Sequence, residues 1–391
     1  MTYVYIIVAF VLAMVLSYFI LPRIILISYK KNLFDEIDER KVHTRQIPRL
    51  GGVSFPLIVI LTLLFITGIR YMYGNGVEQP DTINVFLEFT FLICGMMLLF
   101  MIGIADDLIG VGYRSKLVTQ ILAACFFPVS GLYISNLGGL FNVYEISPYI
   151  GMPLTVFFVV YITNAINLID GIDGLASGIA GVALTVVGVF FLIEGVWMYA
   201  LLSFIVLGLL IPFFHFNVFG NPDRCRKLFM GDTGSLTLGY LISFLMIHFC
   251  TGIPGTGIVA DKSIIIVTLS VMIVPCFDVI RVVLVRFRNK KSPFQPDRNH
   301  IHHKFLLIDY TPRKSMVTIL LVALFFIGSN LFLVYQLDAH LVLIFDVVCW
   351  IGLHLWLNMR IRQCYECRMV IAKNKRTAVH TNIDSVGLMV K

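Results

Sequence analysis

A set of aspartates, two asparagines and a histidine cluster carry the chemistry available to this 391-residue sequence. Asp106 and Asp107 stand together in Gly103-Ile-Ala-Asp-Asp-Leu. Asp170 and Asp173 lie in the run from Asn164 through Asn167 to Gly174, and Asp232 lies in Phe229-Met-Gly-Asp-Thr-Gly-Ser. Such oxygen-rich groups suit a hard cation such as Mg²⁺, which keeps part of its water and shares substrate phosphates. The segment His300-Ile-His302-His303-Lys304 adds imidazoles, and Lys116 follows Asp106 ten residues on. His, Arg and Lys donors hold a diphosphate and a base well. The residue types therefore point to phosphate chemistry assisted by a divalent cation.

Each feature also has a plainer explanation. Asp232 precedes a helix and is equally a candidate N-cap. Asp106 and Asp107 close a helix, where the dipole disfavours anions, so this pair calls for a cation or a proton. Gly171, Gly174, Gly231 and Gly234 beside these acids either break helices or let backbone approach a ligand. The three histidines fit a transition metal, a solvated basic loop or a diphosphate-and-base site. Lys116 is either a point charge for phosphates or an ordinary lysine on the positive side of a membrane. The segment 35–52, with Arg40, Lys41, His43, Arg45, Pro48, Gly51 and Gly52, reads as an ordered loop.

The elements that must position these groups are membrane helices. Hydrophobic residues make up 58% of the chain and charged residues 14%, against about 45–50% and about 25% in soluble domains. So apolar a chain cannot cover a globular surface with polar groups. An ordinary cytosolic enzyme, a disordered protein and a disulfide scaffold are thereby excluded. The eight cysteines are scattered, mostly in apolar stretches, and Cys364 with Cys367 forms a lone CxxC, weak evidence for zinc. Apolar runs predict eleven spans near 4–27, 52–70, 85–105, 117–134, 151–169, 175–195, 197–214, 233–252, 263–285, 316–336 and 341–358. The first has no Lys or Arg ahead of it and is too long for a signal-peptide core, so it is expected to remain.

With this threading, every Lys and Arg except Arg70 and Lys262 falls on one side. The bias predicts the N-terminus outside and the C-terminus inside. It also explains the net charge of +7 without a nucleic-acid partner. All five aspartates then lie at the cytoplasmic face. Residues 1–358 are expected to form the transmembrane domain, with a basic cytoplasmic tail over 359–391 beside anionic lipid head groups. No repeat is visible that would support an inverted-repeat transporter, and the acids sit at helix ends rather than at the midplane.

In these motifs the chain resembles the polyprenyl-phosphate N-acetylhexosamine-1-phosphate transferases (MraY, WecA, TagO and eukaryotic relatives). The resemblance runs in order from Arg40-Lys-Val-His43 and Pro48-Arg-Leu-Gly-Gly52 through Asp106-Asp107 and Arg114-Ser-Lys116 to Asn164–Gly174. It continues through Asn217, Phe229–Ser235, Pro275–Asp278 with Arg281, and His300–His303. Eleven spans resemble the WecA and TagO branch more than MraY.

The resemblance implies attack by a polyprenyl phosphate, undecaprenyl phosphate in bacteria, on the β-phosphorus of a UDP-N-acetylhexosamine, with release of UMP. It implies Asn167 and Asp232 as ligands of Mg²⁺, with Mn²⁺ as a substitute. Asp106 and Asp107 would orient or deprotonate the lipid phosphate, or help hold the metal. Asn164, Asp170, Asp173 and Asn217 would line the nucleotide-sugar pocket, and Lys116, His300, His302 and His303 would contact uridine or diphosphate. Asn299-His-Ile-His-His-Lys looks like the branch using UDP-GlcNAc; MraY-type enzymes carry three adjacent His after Pro-Ile. The resemblance thus implies GlcNAc-1-phosphate transfer for cell-envelope polysaccharide synthesis, with the muramyl-pentapeptide substrate as the alternative. It also implies a bacterial inner-membrane location and a homodimer.

Overall fold

The computed structural model describes residues 2–34, 47–73, 82–251, 264–292 and 299–387. Arg40, Lys41, His43 and Arg45 lie outside the described residues. Within them the chain is helical, with no strand. In chain order the α-helices are α1 (Thr2–Lys31), α2 (Ser54–Tyr73), α3 (Thr82–Ile109), α4 (Tyr113–Val129), α5 (Pro148–Ile169) and α6 (Leu175–Ile193). There follow α7 (Trp197–Phe214), α8 (Gly231–Thr251), α9 (Ile264–Ser270), α10 (Ile273–Arg288), α11 (Ile301–Leu307), α12 (Pro312–Leu333) and α13 (Ala339–Gly387).

Among the described residues, nine helices are long and apolar enough to cross a bilayer. They are α1, α2, α3, α5, α6, α7, α8, α12 and α13. The protein is an all-α, multi-pass membrane protein. Two of the eleven expected spans have a different form. The fourth is α4, whose 17 residues reach about 26 Å at 1.5 Å per residue, just short of a hydrocarbon core of about 30 Å. The ninth is α9 and α10, bent by 74°. Pro275 explains the break: it has no N–H for the Val271 carbonyl, and its ring crowds that group. The histidine segment, for which a solvated basic loop was one reading, lies at the start of α11. The backbone of α13 continues past residue 358 without interruption.

Helix α8 is the centre of the bundle, buried almost all round against α3, α5 and α6. Its sequence explains this. In lipid, helices associate through close packing and hydrogen bonds, which favours small and hydroxylated residues. Gly234, Ser235, Thr237, Gly239 and Ser243 supply them. A Cβ on Gly239 would stand 2.7 Å from the Thr163 Cα on α5, and the Tyr240 hydroxyl donates to the Ala123 carbonyl on α4 at 3.0 Å. Helices α1, α3 and α13 keep many apolar side chains on the outer surface, where a bilayer is their solvent.

Candidate active site

The polar residues converge at one end of the bundle, where α3 and α5 finish and α4 and α8 begin. The chain positions the start of α8 with a short stretch of backbone pairing. The Gly51 and Gly52 amides donate to the Phe229 and Met230 carbonyls at 3.0 and 2.8 Å, and the Phe229 amide donates to the Pro48 carbonyl at 2.8 Å. The loop ending in Pro48-Arg-Leu-Gly-Gly52 is therefore the brace of the Asp232 motif. The approach is so close that a Cβ on Gly52 would lie 2.0 Å from the Gly234 nitrogen. Gly231 has φ +72°, a conformation L side chains rarely adopt. The site glycines thus serve close packing of protein on protein.

Asp106 and Asp107, adjacent in sequence, do different things. Asp107 accepts from the Asp232 amide at 2.8 Å, the Thr233 amide at 3.0 Å and the Thr233 hydroxyl at 2.6 Å. It is the N-terminal cap of α8, supplied by another helix. At the end of its own helix a carboxylate is disfavoured; at the start of α8 the dipole favours it. The cation that the pair calls for is supplied to Asp106 by Lys116, while Asp107 is met by amides and a hydroxyl. Asp106 accepts from the Val111 amide at 2.7 Å and from the Lys116 ammonium at 2.8 Å.

Lys116 is more than a lysine on the positive side. Its Nζ also lies 2.5 Å from Asp232 Oδ2, bridging two carboxylates from separate helices. Burial opposes its charge, but Asp232 and Asp106 outweigh it and hold its pKa above the ordinary lysine value. Asn167 donates to the Ser235 hydroxyl at 2.8 Å, close enough to Asp232 to favour its charged form. The two residues implied as metal ligands are therefore neighbours. Among the described residues, no three His, Cys, Asp or Glu side chains converge as a metal cage.

The turn after α5 forms the other wall. Asp170 is partly accessible. Burial, then the carboxylates of Asp232, Asp173 and Asp107, push its pKa up to about 7 against the pull of Arg49. Asp173 pairs with Lys227 at 2.5 Å. Lys227 is missing from the residues implied by sequence; it stood among the basic residues attributed to positive-inside bias. Two of the implied substrate residues are engaged within the protein. Asn164 donates to Gln120 Oε1 at 2.5 Å and to the Val160 carbonyl at 2.8 Å. Buried Asn217 accepts from the Gly174 amide at 2.6 Å and donates to the Leu228 carbonyl at 2.9 Å, tying the two walls together.

The histidines divide as well. His300 Nδ1 is 2.8 Å from Asp278 Oδ2, and Asp278 Oδ1 accepts from the Ile301 amide at 3.0 Å and Arg281 at 3.1 Å. Asp278 thus anchors α11. His302 is 1% exposed, and its ring lies where a Cβ on Gly171 would have to go. Burial, then His303 and His300, lower its pKa to about 3. His302 is therefore neutral at physiological pH and carries no charge to offer a phosphate. His303 is partly exposed at the surface of the cluster. Lys304 turns away to donate to Asn358 on α13 at 2.8 Å.

The chain has relatives in sequence. The family model described as glycosyl transferase family 4 matches residues 89–250, the stretch from the middle of α3 to the end of α8. The chain is 30% identical over 82% of its length, and 83% of the relative's, to a probable undecaprenyl-phosphate N-acetylglucosaminyl 1-phosphate transferase of Bacillus subtilis. It is 29% identical to the undecaprenyl-phosphate alpha-N-acetylglucosaminyl 1-phosphate transferases of Salmonella typhimurium, over 77% of both chains, and of Escherichia coli K12, over 76% and 75%. Similarity of this extent, together with the family's motifs gathered at one end of a helical membrane bundle, makes the chain a member of glycosyl transferase family 4 and a membrane phospho-sugar transferase.

Proposed function

We propose that the protein transfers N-acetylglucosamine-1-phosphate from UDP-N-acetylglucosamine to undecaprenyl phosphate, releasing UMP, with Mg²⁺ as cofactor. The observation that carries this reading is the Lys116 ammonium between Asp106 and Asp232. There two carboxylates that would attract a divalent cation stand beside an ammonium that would meet a phosphate, which supports a diphosphate substrate with its cation. The names of the relatives supply the acceptor and the sugar. The site faces the cytoplasm of a bacterial inner membrane in this proposal. Support comes from Lys30, Lys31, Arg224, Arg226 and Lys227 at the site end, against Arg70 at the far end of α2.

Asn167 and Asp232 would hold the metal. A Mg²⁺ ion that completes its shell with water and substrate phosphates needs no protein cage. When bound, it would neutralise diphosphate charge and stabilise the charge developing at the transferred phosphorus. Mn²⁺ offers the same oxygen-ligand chemistry. Lys116 and Asp106 orient the lipid phosphate. A phosphate monoester has a second pKa near 6, so it arrives largely as the dianion and needs little help from a base. One of its oxygens bonds to the β-phosphorus of the donor. The bond from that phosphorus to the α–β bridging oxygen breaks, and UMP leaves with the oxygen. Asp170 and the Asp173–Lys227 pair flank the donor, and His303 faces its uridine or diphosphate while His300 and His302 hold α11. A homodimer belongs to the same proposal and is read by the mass of the detergent-solubilised particle.

The test is UMP release by the purified protein with undecaprenyl phosphate and Mg²⁺, offering UDP-GlcNAc, UDP-GalNAc and UDP-MurNAc-pentapeptide in parallel. Release with UDP-GlcNAc alone is the expected result. Release only with the muramyl donor would move the protein to peptidoglycan synthesis, and omission of Mg²⁺ without effect would remove the metal.

A further inference from the structure

The other end of the bundle holds a cavity that the transferase reaction does not use. It has a volume of about 400 Å³ and lies between the end of α2 and the beginnings of α3 and α7. These three helices place it opposite the active site. Gly52, just before α2, braces Asp232, whereas Arg70 near the end of α2 lines the cavity. Phe86 lines it at the start of α3, which ends in Asp106 and Asp107. Trp197 opens α7, which leads into Asn217. Eighteen residues of helix at 1.5 Å each separate Gly52 from Arg70 by about 27 Å, roughly the thickness of a hydrocarbon core.

The wall is apolar, formed by residues such as Leu63, Phe86, Phe89 and Met198. Its volume falls within the range of about 300–1,000 Å³ found for ligand pockets. Among the described residues its one charged lining group is Arg70. The guanidinium stacks on the Trp197 ring, 3.2 Å from the centroid, and its Nη1 is buried without a hydrogen-bond partner among the described residues. A buried guanidinium nitrogen without an acceptor is costly, and an arginine within a membrane helix normally faces a partner. The carboxylate on the adjoining helix is already committed. Glu88 accepts from the Tyr199 hydroxyl at 2.5 Å and lies 3.5 Å from His248.

An apolar cavity in the bilayer, with a guanidinium nitrogen unpaired among the described residues and a tryptophan at interfacial depth, complements an amphiphile with an anionic head. We propose that this cavity binds an anionic phospholipid of the leaflet opposite the active site. Its phosphodiester sits on Arg70 and an acyl chain fills the space beside Phe86 and Phe89. Guanidinium and phosphate pair through charge-assisted hydrogen bonds, and Trp197 holds the guanidinium in place. Charge complementarity selects the head group, and the bilayer supplies it at high concentration. The proposal is independent of the sugar, the metal and the direction of threading.

The test is native mass spectrometry of the full-length protein in mild detergent with equal phosphatidylglycerol and phosphatidylcholine. Retention of phosphatidylglycerol over phosphatidylcholine by on the order of tenfold is expected for the wild type, falling to near parity in Arg70→Gln. Leu64→Trp, which fills the cavity and leaves Arg70 in place, should lower retention of both lipids; it carries the test should Arg70→Gln not fold. Thermal unfolding of the same samples should show phosphatidylglycerol raising the Tm of the wild type alone. Equal retention of the two lipids by the wild type overturns the proposal, as does an unchanged preference in Arg70→Gln or unchanged binding by Leu64→Trp.

Discussion

Asp107 offers the sharpest test, because its sequence neighbour is the control. Asp107→Ala removes the acceptor of two backbone amides, those of Asp232 and Thr233, and of the Thr233 hydroxyl. Thr233 is fully buried. A buried donor left without a partner costs about 1–3 kcal/mol, and loss of an N-cap costs about 0.5–2 kcal/mol. Together these place the destabilisation at about 1.5–5 kcal/mol. At about 2 °C per kcal/mol, the lower end of the range for larger domains, Tm should fall by about 3–10 °C. Asp106→Ala frees only the Val111 amide and Lys116, both near solvent. Its Tm should change by no more than about 2 °C, although turnover is lost. Asp107→Asn keeps one oxygen for an amide and should fall between wild type and Asp107→Ala. The assay is thermal unfolding in detergent, followed in each variant together with UMP release. If Asp107→Ala melts with the wild type yet loses turnover, Asp107 is a chemical group and not the cap of α8.

Other substitutions probe the rest of the site. Asp232→Asn should abolish turnover and weaken the response to Mg²⁺; normal activity with unchanged Mg²⁺ dependence would remove Asp232 from the metal site. His302→Ala should raise KM for the UDP-sugar more than KM for the lipid, and a selective effect on the lipid would show that α11 does not serve the donor. His302 also sets an acid limb. Its folded pKa of about 3 lies below the ordinary 6.5, so between these values the unfolded chain binds the extra proton, and stability rises with pH and is lost as the pH drops. His302→Phe should flatten that part of the Tm profile relative to wild type, and an identical profile would show that His302 does not titrate differently in the two states. Gly52→Ala would drive a Cβ to 2.0 Å from the Gly234 backbone, an overpacking that costs about 1–3 kcal/mol or more. A Tm equal to wild type would mean the brace between 48–52 and α8 does not form.

That the protein is a membrane helix bundle, and that acids stand at the ends of its helices, was legible from the residues alone. Twenty-residue apolar runs leave few alternatives in lipid, because every backbone amide must be satisfied within its own segment. Asp106, Asp107, Asp170, Asp173 and Asp232 stood out because ionised groups at helix ends in such a chain are costly. What each of them touches was decided only by tertiary structure. Asp107 reaches the amides of residues 125 and 126 positions away, Lys116 a carboxylate 116 away and Lys227 one 54 away. Such partners follow from how the helices pack, set by close approaches such as Gly239 on Thr163 and Gly52 on Gly234, and no local spacing encodes them. The histidines show the same division. Their motif was legible, but burial of His302 beneath Gly171 and the anchoring of His300 by Asp278 needed the fold, since the charge on an imidazole depends on what surrounds it in space and not on its neighbours in the chain.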